Sequence, residues 1–255
     1  MPRHRGTYKP DHPSPYEVSR SQIESFIKCP ACFWMNRVKG IKFPGMPGFL
    51  LNTATDTLLK KDFDHYRELQ KPHPFMVENG LAHLVPFKHE DFEQWTKSLQ
   101  LGFRTEYPSK NLIIGGGLDD VWHDLETDEL FIVDYKSTAS RANEEKTRLA
   151  EITLNGNYKE GYKRQMEIYQ WLLRRNGLSV SDTGYFVYCN GKAGLLKFED
   201  TIQFDTTLIA YKGSDDWVEK TIADIYKCLN SEKIPSASFN CDYCKYTSEM
   251  EKLIN

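Results

Sequence analysis

The stretch GGGLDDVWHDLETDELFIVDYK spans Gly115–Lys136 and contains the pattern that decides the fold. Residues 111–114 and 118–123 contain apolar side chains typical of a strand, and we expect them to form one strand interrupted by the three glycines. Residues 129–136 predict its antiparallel partner, with the turn at 125–128. Because glycine has no side chain, the interruption suits a bend or bulge in the first strand.

Three charged residues stand near the ends of these two predicted strands. Asp119 lies on the first strand, and Asp134 and Lys136 lie two residues apart on the second, which places them on the same face. Charged groups in a buried position are costly unless a cation joins the carboxylates. Carboxylate oxygens favour magnesium or manganese over a metal that prefers thiolates. The spacing alone is equally compatible with a salt-bridged strand end.

The rest of the sequence indicates an α/β protein. A capped helix is expected over residues 19–27, and apolar residues at helical spacing predict further helices over 52–68, 159–176 and 215–229. Residues 185–189 read as a buried strand.

The domain organisation follows from where these patterns begin and end. Residues 1–18 are rich in Pro, His and Arg without periodicity, and we expect a flexible arm there. Residues 19–255 are interpreted as a single domain, with an insertion of mixed structure at about 71–110.

Composition excludes several classes of protein. Of the 255 residues, 40% are hydrophobic and 27% charged, which excludes disordered and fibrous chains. No apolar stretch is long enough to cross a membrane and no apolar signal region follows Met1, so we expect a cytoplasmic protein. The net charge of -3 gives no global attraction to nucleic acid, so any such contact must be local.

Four of the six cysteines form two C-x-x-C pairs. Cys29 and Cys32 lie near one end of the sequence, and Cys241 and Cys244 near the other. In a cytosolic protein such pairs favour metal binding over disulfides, because each tight turn presents two sulfurs to one ion or cluster. Segments 29–32 and 241–244 are therefore predicted to join the two ends of the fold at a four-cysteine site.

Several of these segments resemble the PD-(D/E)XK nuclease superfamily, in particular its RecB-like branch. That branch has a Gly-x-x-Asp element followed by an apolar strand ending in Asp-Tyr-Lys-Ser/Thr, which are similar to residues 116–119 and 132–138 here. Gln165 and Tyr169, four residues apart on one helical face, resemble its Gln-x-x-x-Tyr motif. The motifs occur in the family's order from about Ser19 to Cys244. An ordinary amphipathic helix would also explain Gln165 and Tyr169 taken alone.

The resemblance implies a restriction-endonuclease-like core, a mixed central sheet flanked by helices. It implies that Asp119, Asp134 and the main-chain carbonyl of Tyr135 bind Mg²⁺ or Mn²⁺, with Asp119, Asp134 and Lys136 as the catalytic residues. Asp56 stands where relatives carry a metal-binding His, and is a further candidate ligand.

The resemblance also suggests which residues contact DNA. Gln165 and Tyr169 would contact DNA and brace the site, with Lys163 and Arg164 beside them. Other candidate cations are Lys136, Arg141, Lys146, Arg148 and Lys159, and Tyr162 and Tyr169 are candidates for base stacking. A solvated helix face would equally explain these residues, except Lys136.

Similarity to the RecB-like nucleases bears on the cysteines as well. The CRISPR-associated enzymes and the AddB subunit hold a [4Fe-4S] cluster on one N-terminal and three C-terminal cysteines, whereas this chain offers two and two. The resemblance implies a [4Fe-4S] cluster at this site, with a structural zinc ion as the alternative, because both accept four thiolates.

The expected function is hydrolysis of DNA, on single strands or ends, in repair, recombination or defence. No phosphate-binding Gly-x-x-x-x-Gly-Lys loop occurs, so any unwinding would need a helicase partner. A noncatalytic DNA-binding or scaffold module of the same fold, and a nuclease acting on RNA, are the alternatives. Sequence does not specify polarity, exonuclease or endonuclease action, oligomeric state or pathway.

Overall fold

A computed structural model describes residues 3–45, 47–97, 101–139, 152–197 and 199–254 of the chain. Arg141, Lys146 and Arg148 lie outside the described residues. Across the described parts, no helix combines the length and the apolar character needed to cross a membrane.

The chain divides into two compact units. The first, called the terminal unit, comprises Met1–Met46, Arg104–Gly116 and Asp215–Asn255. The second, called the central unit, comprises Pro47–Phe103 and Gly117–Ser214.

Helices and strands are distributed over both units. The α-helices are α1 (Arg20–Lys28), α2 (Pro30–Arg37), α3 (Leu50–Leu69), α4 (Pro74–Glu78), α5 (Phe92–Thr96), α6 (Glu160–Arg175), α7 (Val218–Leu229) and α8 (Asp242–Ile254). The strands are β1 (Tyr16–Ser19), β2 (Leu84–Pro86), β3 (Phe103–Tyr107), β4 (Leu112–Gly116), β5 (Asp120–Asp124), β6 (Glu129–Thr138), β7 (Thr183–Gly191) and β8 (Phe204–Lys212).

The central unit contains a mixed sheet of strand order β2-β5-β6-β7-β8. β6 pairs in parallel with β7, whereas its pairing with β5 and the pairings β2–β5 and β7–β8 are antiparallel. A parallel connection needs a crossover, and α6 lies in the chain between β6 and β7. The predicted mixed sheet is confirmed.

The two faces of β6 differ in character because successive side chains point to opposite sides of a strand. Val133 and Tyr135 belong to an apolar cluster with Phe63 of α3 and Trp122 of β5. Asp134 is on the other face, where Gln165 of α6 donates a hydrogen bond to it. Helices therefore flank both faces of this sheet, as the α/β interpretation predicted.

The glycine-rich stretch separates two strands instead of interrupting one, so the expectation of a single strand was wrong. β4 pairs in parallel with β1, whereas β5 pairs with β6 in the other sheet. Between them the backbone leaves sheet geometry, and the Leu118 N–H donates to the Trp95 carbonyl at 3.1 Å. Glycines at 115–117 offer no side chains that would hold the segment in one sheet.

The segment interpreted as a flexible arm contributes a strand at its end. Tyr16 and Val18 of β1 are buried, and the intervening Glu17 forms ion pairs with Arg3, Arg5 and Arg104. A buried carboxylate surrounded by guanidinium groups is compensated, which explains how a Pro- and Arg-rich segment becomes ordered.

The segment at about 71–110, predicted as an insertion of mixed structure, holds short helices and strands. It contains the two short helices α4 and α5. Its strand β2 extends the central sheet by pairing with β5.

The helices expected from sequence are present with small shifts of their ends. Ser19 caps α1, its side chain accepting a hydrogen bond from the Gln22 N–H, and Pro30 starts the next helix. α6 ends just before Gly177, whose φ of 84° is the left-handed geometry that favours glycine after a helix.

Close packing of α6 on the sheet depends on Gly184 of β7. A Cβ at this position would collide with the Met166 sulfur and lie 3.0 Å from the Ile132 carbonyl oxygen. Since Met166 is fully buried, it has little room to move.

We predict that Gly184→Ala destabilises the protein by about 1–3 kcal/mol, the usual cost of overpacking a core. The free energy of unfolding is to be measured by urea denaturation. The matched control is Gly194→Ala, because a Cβ there meets nothing within 4 Å. Equal unfolding free energies for the two variants would contradict the tight packing.

Candidate functional site

A cavity of about 290 Å³ in the central unit brings together several of the residues that the sequence singled out. Asp119 and Lys136 line it together with Tyr135, at the ends of β5 and β6. Asp56 of α3 and Tyr162 of α6 complete this set. The cavity therefore combines two carboxylates and an ammonium group from three separate segments.

Asp134 is the most deeply buried charged residue beside this cavity, with 1% of its surface exposed. Its Oδ1 accepts a hydrogen bond from Gln165 Nε2 at 2.6 Å, and its Oδ2 forms an ion pair with Lys136. Oδ2 has no hydrogen bond of good geometry in the structure. Burial is the largest influence here and, with repulsion from Asp119, it outweighs Lys136 and raises the pKa of Asp134 to about 7.

Asp119 is held from two sides. Its Oδ2 accepts a hydrogen bond from the Tyr135 N–H at 3.2 Å, and its Oδ1 accepts one from Lys60 Nζ at 3.1 Å. Burial would raise the pKa of Asp119, but attraction from Lys60 and Lys136 outweighs it and lowers the pKa. This carboxylate is therefore ionised beside Asp134.

Asp56, which the sequence offered as a substitute for a histidine, shares a lysine with Asp119. Lys60 Nζ lies 2.9 Å from Asp56 Oδ2. Burial, together with the nearby Asp119, raises the pKa of Asp56 despite this contact. Two carboxylates on different elements thus converge on one ammonium group.

Sequence reasoning did not single out Lys60. It follows Asp56 by four residues, the spacing at which oppositely charged side chains meet on a helix. That signal was present in the sequence, but such pairs are common on exposed helix faces.

A second buried network was also missed. Asp120 accepts hydrogen bonds from Arg67 Nη2 at 2.5 Å and from the Tyr135 hydroxyl at 2.6 Å. The buried Arg67 also donates to the Phe87 carbonyl at 2.5 Å. Because Asp120 and Tyr135 adjoin Asp119 and Asp134 in sequence, this network fixes the backbone that presents the two candidate carboxylates.

The residues predicted to contact DNA occupy different environments on α6. Gln165 is buried and bonds to Asp134, and Tyr169 is buried with 3% of its surface exposed. Lys163 Nζ pairs with Glu160 at 2.7 Å, and Arg164 is half-buried. The structure therefore brings Gln165 to the carboxylates and places the Tyr169 ring in the interior.

Aromatic rings accompany the lysines near the cavity. Lys136 Nζ lies 4.8 Å from the centre of the Tyr162 ring. The candidate cation Lys159 is buried, with its Nζ 5.1 Å from the Tyr188 ring and bonded to the Thr153 carbonyl. Lys159 is thus engaged within the protein, whereas Lys136 and Tyr162 line the cavity.

The four cysteines of the two C-x-x-C pairs come together in the terminal unit, as predicted. Their sulfurs all lie within 4.8 Å of one another. Cys29 Sγ is 3.7 Å from Cys244 Sγ, and Cys32 Sγ is 3.4 Å from both Cys241 Sγ and Cys244 Sγ. Among the residues that the structure describes, these four cysteines are the group whose ligand atoms lie close enough together to hold one metal ion.

Protonation differs among these thiols. Burial would raise the pKa of Cys29, but hydrogen bonds from neighbouring N–H groups, including that of Ser238, and from the other thiols outweigh it and lower the pKa to about 7. Burial raises the pKa of Cys32 and brings that of Cys244 to about 11. A bound cation would favour the thiolate form of all four side chains.

A solved structure and a family model are similar to this chain. A solved structure described as the crystal structure of SSO0001 is 13% identical, with an alignment covering 91% of this chain and 84% of that chain and a TM-score of 0.33. No curated protein matches the chain. The family model of the PD-(D/E)XK nuclease superfamily matches residues 50–248. Since that match includes every element around the cavity and most of the chain, the chain belongs to the PD-(D/E)XK nuclease superfamily.

Proposed function

We propose that this protein is a DNA nuclease that hydrolyses phosphodiester bonds with the help of Mg²⁺ or Mn²⁺. The observation that carries the proposal is the convergence of Asp119 and Lys136 at one cavity, with the buried Asp134 paired to Lys136. Buried carboxylates beside a lysine are costly to maintain, and a fold retains them where their charge is used.

The residues present fit a divalent ion. Asp134 Oδ2 is buried without a hydrogen bond of good geometry, and carboxylate oxygens are preferred ligands of Mg²⁺ and Mn²⁺. Asp119, Asp134 and the Tyr135 carbonyl would hold the ion, with Asp56 as a further ligand. When bound, such an ion lowers the pKa of its water and neutralises charge on the phosphate.

The protein's own residues have distinct tasks in this proposal. Lys136 reaches the cavity and would hold a proton or stabilise the negative charge that develops on the phosphate. Gln165 fixes one oxygen of Asp134, and the Tyr135 N–H fixes one oxygen of Asp119. These hydrogen bonds orient the two carboxylates before substrate arrives.

DNA as the substrate, in single strands or at ends, is supported by the resemblance to the RecB-like branch. Lys163 and Arg164 of α6 and the ring of Tyr162 are the side chains we assign to its backbone and bases. Gln165 and Tyr169 are assigned a bracing role, because both are buried. The chain would act with a helicase partner where duplex must be opened.

We predict that Lys136→Ala and Asp134→Asn each lower cleavage about 100-fold or more, because each removes a group that acts on the reacting phosphate or its metal. Cleavage is to be followed over time on end-labelled single-stranded DNA, duplex DNA and RNA with Mg²⁺ or Mn²⁺. Circular dichroism establishes that the variants remain folded.

Lys61→Ala is the matched control, because Lys61 is an exposed lysine of α3. Unchanged cleavage by both variants would contradict the assignment. If the unaltered protein binds DNA without cleaving it, the result would favour a noncatalytic DNA-binding module. Preferential cleavage of RNA would favour a nuclease that acts on RNA.

For the cysteine site we propose a single zinc ion over a [4Fe-4S] cluster. Four thiolates around one zinc ion, with Zn–S bonds of about 2.3 Å, place the sulfurs about 3.8 Å apart. The observed separations of 3.4 and 3.7 Å are close to this value. A cubane binds each cysteine to a different iron, which spreads the four sulfurs over a wider volume.

We predict that anaerobically purified protein contains about one zinc ion per chain and that Cys241→Ser loses most of it, since three thiolates bind zinc less tightly than four. Metal content is to be measured by mass spectrometry. Cys189→Ala, which removes a cysteine outside the site, should retain the zinc. Stoichiometric iron with visible absorbance would overturn the zinc proposal, and absence of both metals would overturn any metal role.

A further inference from the structure

Lys60 occupies the space between two of the candidate metal ligands. Its Nζ lies 2.9 Å from Asp56 Oδ2 and 3.1 Å from Asp119 Oδ1. The two carboxylates come from α3 and from the residue before β5, so the ammonium group joins separate elements. A cation at this position compensates the same repulsion that a divalent ion would compensate.

Resting on the metal-dependent function proposed above, we propose that Lys60 is the resident counter-ion of Asp56 and Asp119 and that a divalent ion displaces it. Lys60 is then a positioning residue that sets the metal concentration at which the site fills. The ammonium group competes with the ion for the same oxygens, and it repels the ion if it stays nearby.

The structure provides a place for the displaced side chain. A second cavity, of about 600 Å³, is lined by Lys60 and Asp119 and by further acidic and basic side chains, which include Asp64, Glu68, Arg67 and Lys88. Asp64 follows Lys60 by four residues, as Asp56 precedes it by four, and Lys60 in a second rotamer would share Asp64 with Arg67, which lies 3.0 Å from it. About a quarter of the Lys60 side chain is exposed.

We do not assign to Lys136 the same displacement by a divalent ion. It pairs with the buried Asp134 and lies over the Tyr162 ring. Lys136 also attracts Asp119, but among the described residues it is Lys60 that forms ion pairs with both Asp56 and Asp119.

The test is calorimetric titration of DNA-free protein with Mn²⁺. In Lys60→Met, which keeps the length of the side chain without its charge, we expect the Kd for Mn²⁺ to fall about tenfold or more, because the competing charge is gone. Lys60→Arg keeps the charge and should bind Mn²⁺ with about the unaltered affinity. Lys61→Met, on the exposed side of the same helix, is the matched control and should leave the Kd unchanged.

Thermal unfolding supplies a second test. If Lys60 had a purely structural role, Mn²⁺ would not restore the Tm that its substitution lowers. Without metal, Lys60→Met should melt at a lower temperature, because Asp56 and Asp119 repel each other. Saturating Mn²⁺ should then raise its Tm by more than it raises that of the unaltered protein. A Tm loss that Mn²⁺ does not recover would overturn the counter-ion role.

The outcomes separate this proposal from the metal-dependent function. If the unaltered protein binds Mn²⁺ and Asp119→Asn abolishes that binding, the metal site stands. An unchanged or raised Kd in Lys60→Met would then overturn the role of Lys60 alone. If the unaltered protein binds no Mn²⁺, the metal site fails and the role of Lys60 fails with it.

Discussion

The surroundings of Asp134 in the central unit are determined by one constraint, the burial of its carboxylate. A charge with 1% of its residue exposed must be compensated locally, and each surrounding element contributes a part. α6 provides the Gln165 amide, and β6 itself provides Lys136. These contributions explain why polar and charged side chains occupy positions that an ordinary mixed sheet would fill with apolar ones.

The charge of Asp120, next to the candidate site in sequence, is compensated as well. Asp120 is turned to the opposite side from its neighbour Asp119, where Arg67 and the Tyr135 hydroxyl bind it. Tyr135 therefore acts twice, through its N–H on Asp119 and through its hydroxyl on Asp120. Consecutive aspartates serve different purposes: one faces the cavity, and the other locks α3 onto the sheet through Arg67.

Much of this arrangement could be predicted because its signals are local. The period of two along β6 placed Asp134 and Lys136 on one face, and helical spacing predicted α3 and α6. The C-x-x-C spacing predicted the cysteine site, but the separations between the sulfurs, on which the zinc proposal rests, depend on tertiary structure. The division of β4 from β5 was missed because glycines at a strand break are compatible with a bulge and with a change of sheet. Lys60 and Arg67 were missed because a helical charge looks the same in sequence whether it faces solvent or a buried carboxylate.

Charge balance at the cavity links metal and substrate. With every group ionised, Asp56, Asp119 and Asp134 against Lys60 and Lys136 leave one formal negative charge. A divalent ion reverses that balance to one positive charge unless a lysine withdraws, and a phosphodiester returns it to neutral. Ion and phosphate therefore each favour the binding of the other, and by linkage the coupling is reciprocal. Under the proposed function, such a site would hold its ion weakly without DNA and firmly with it, and Lys60 would determine how large that difference is.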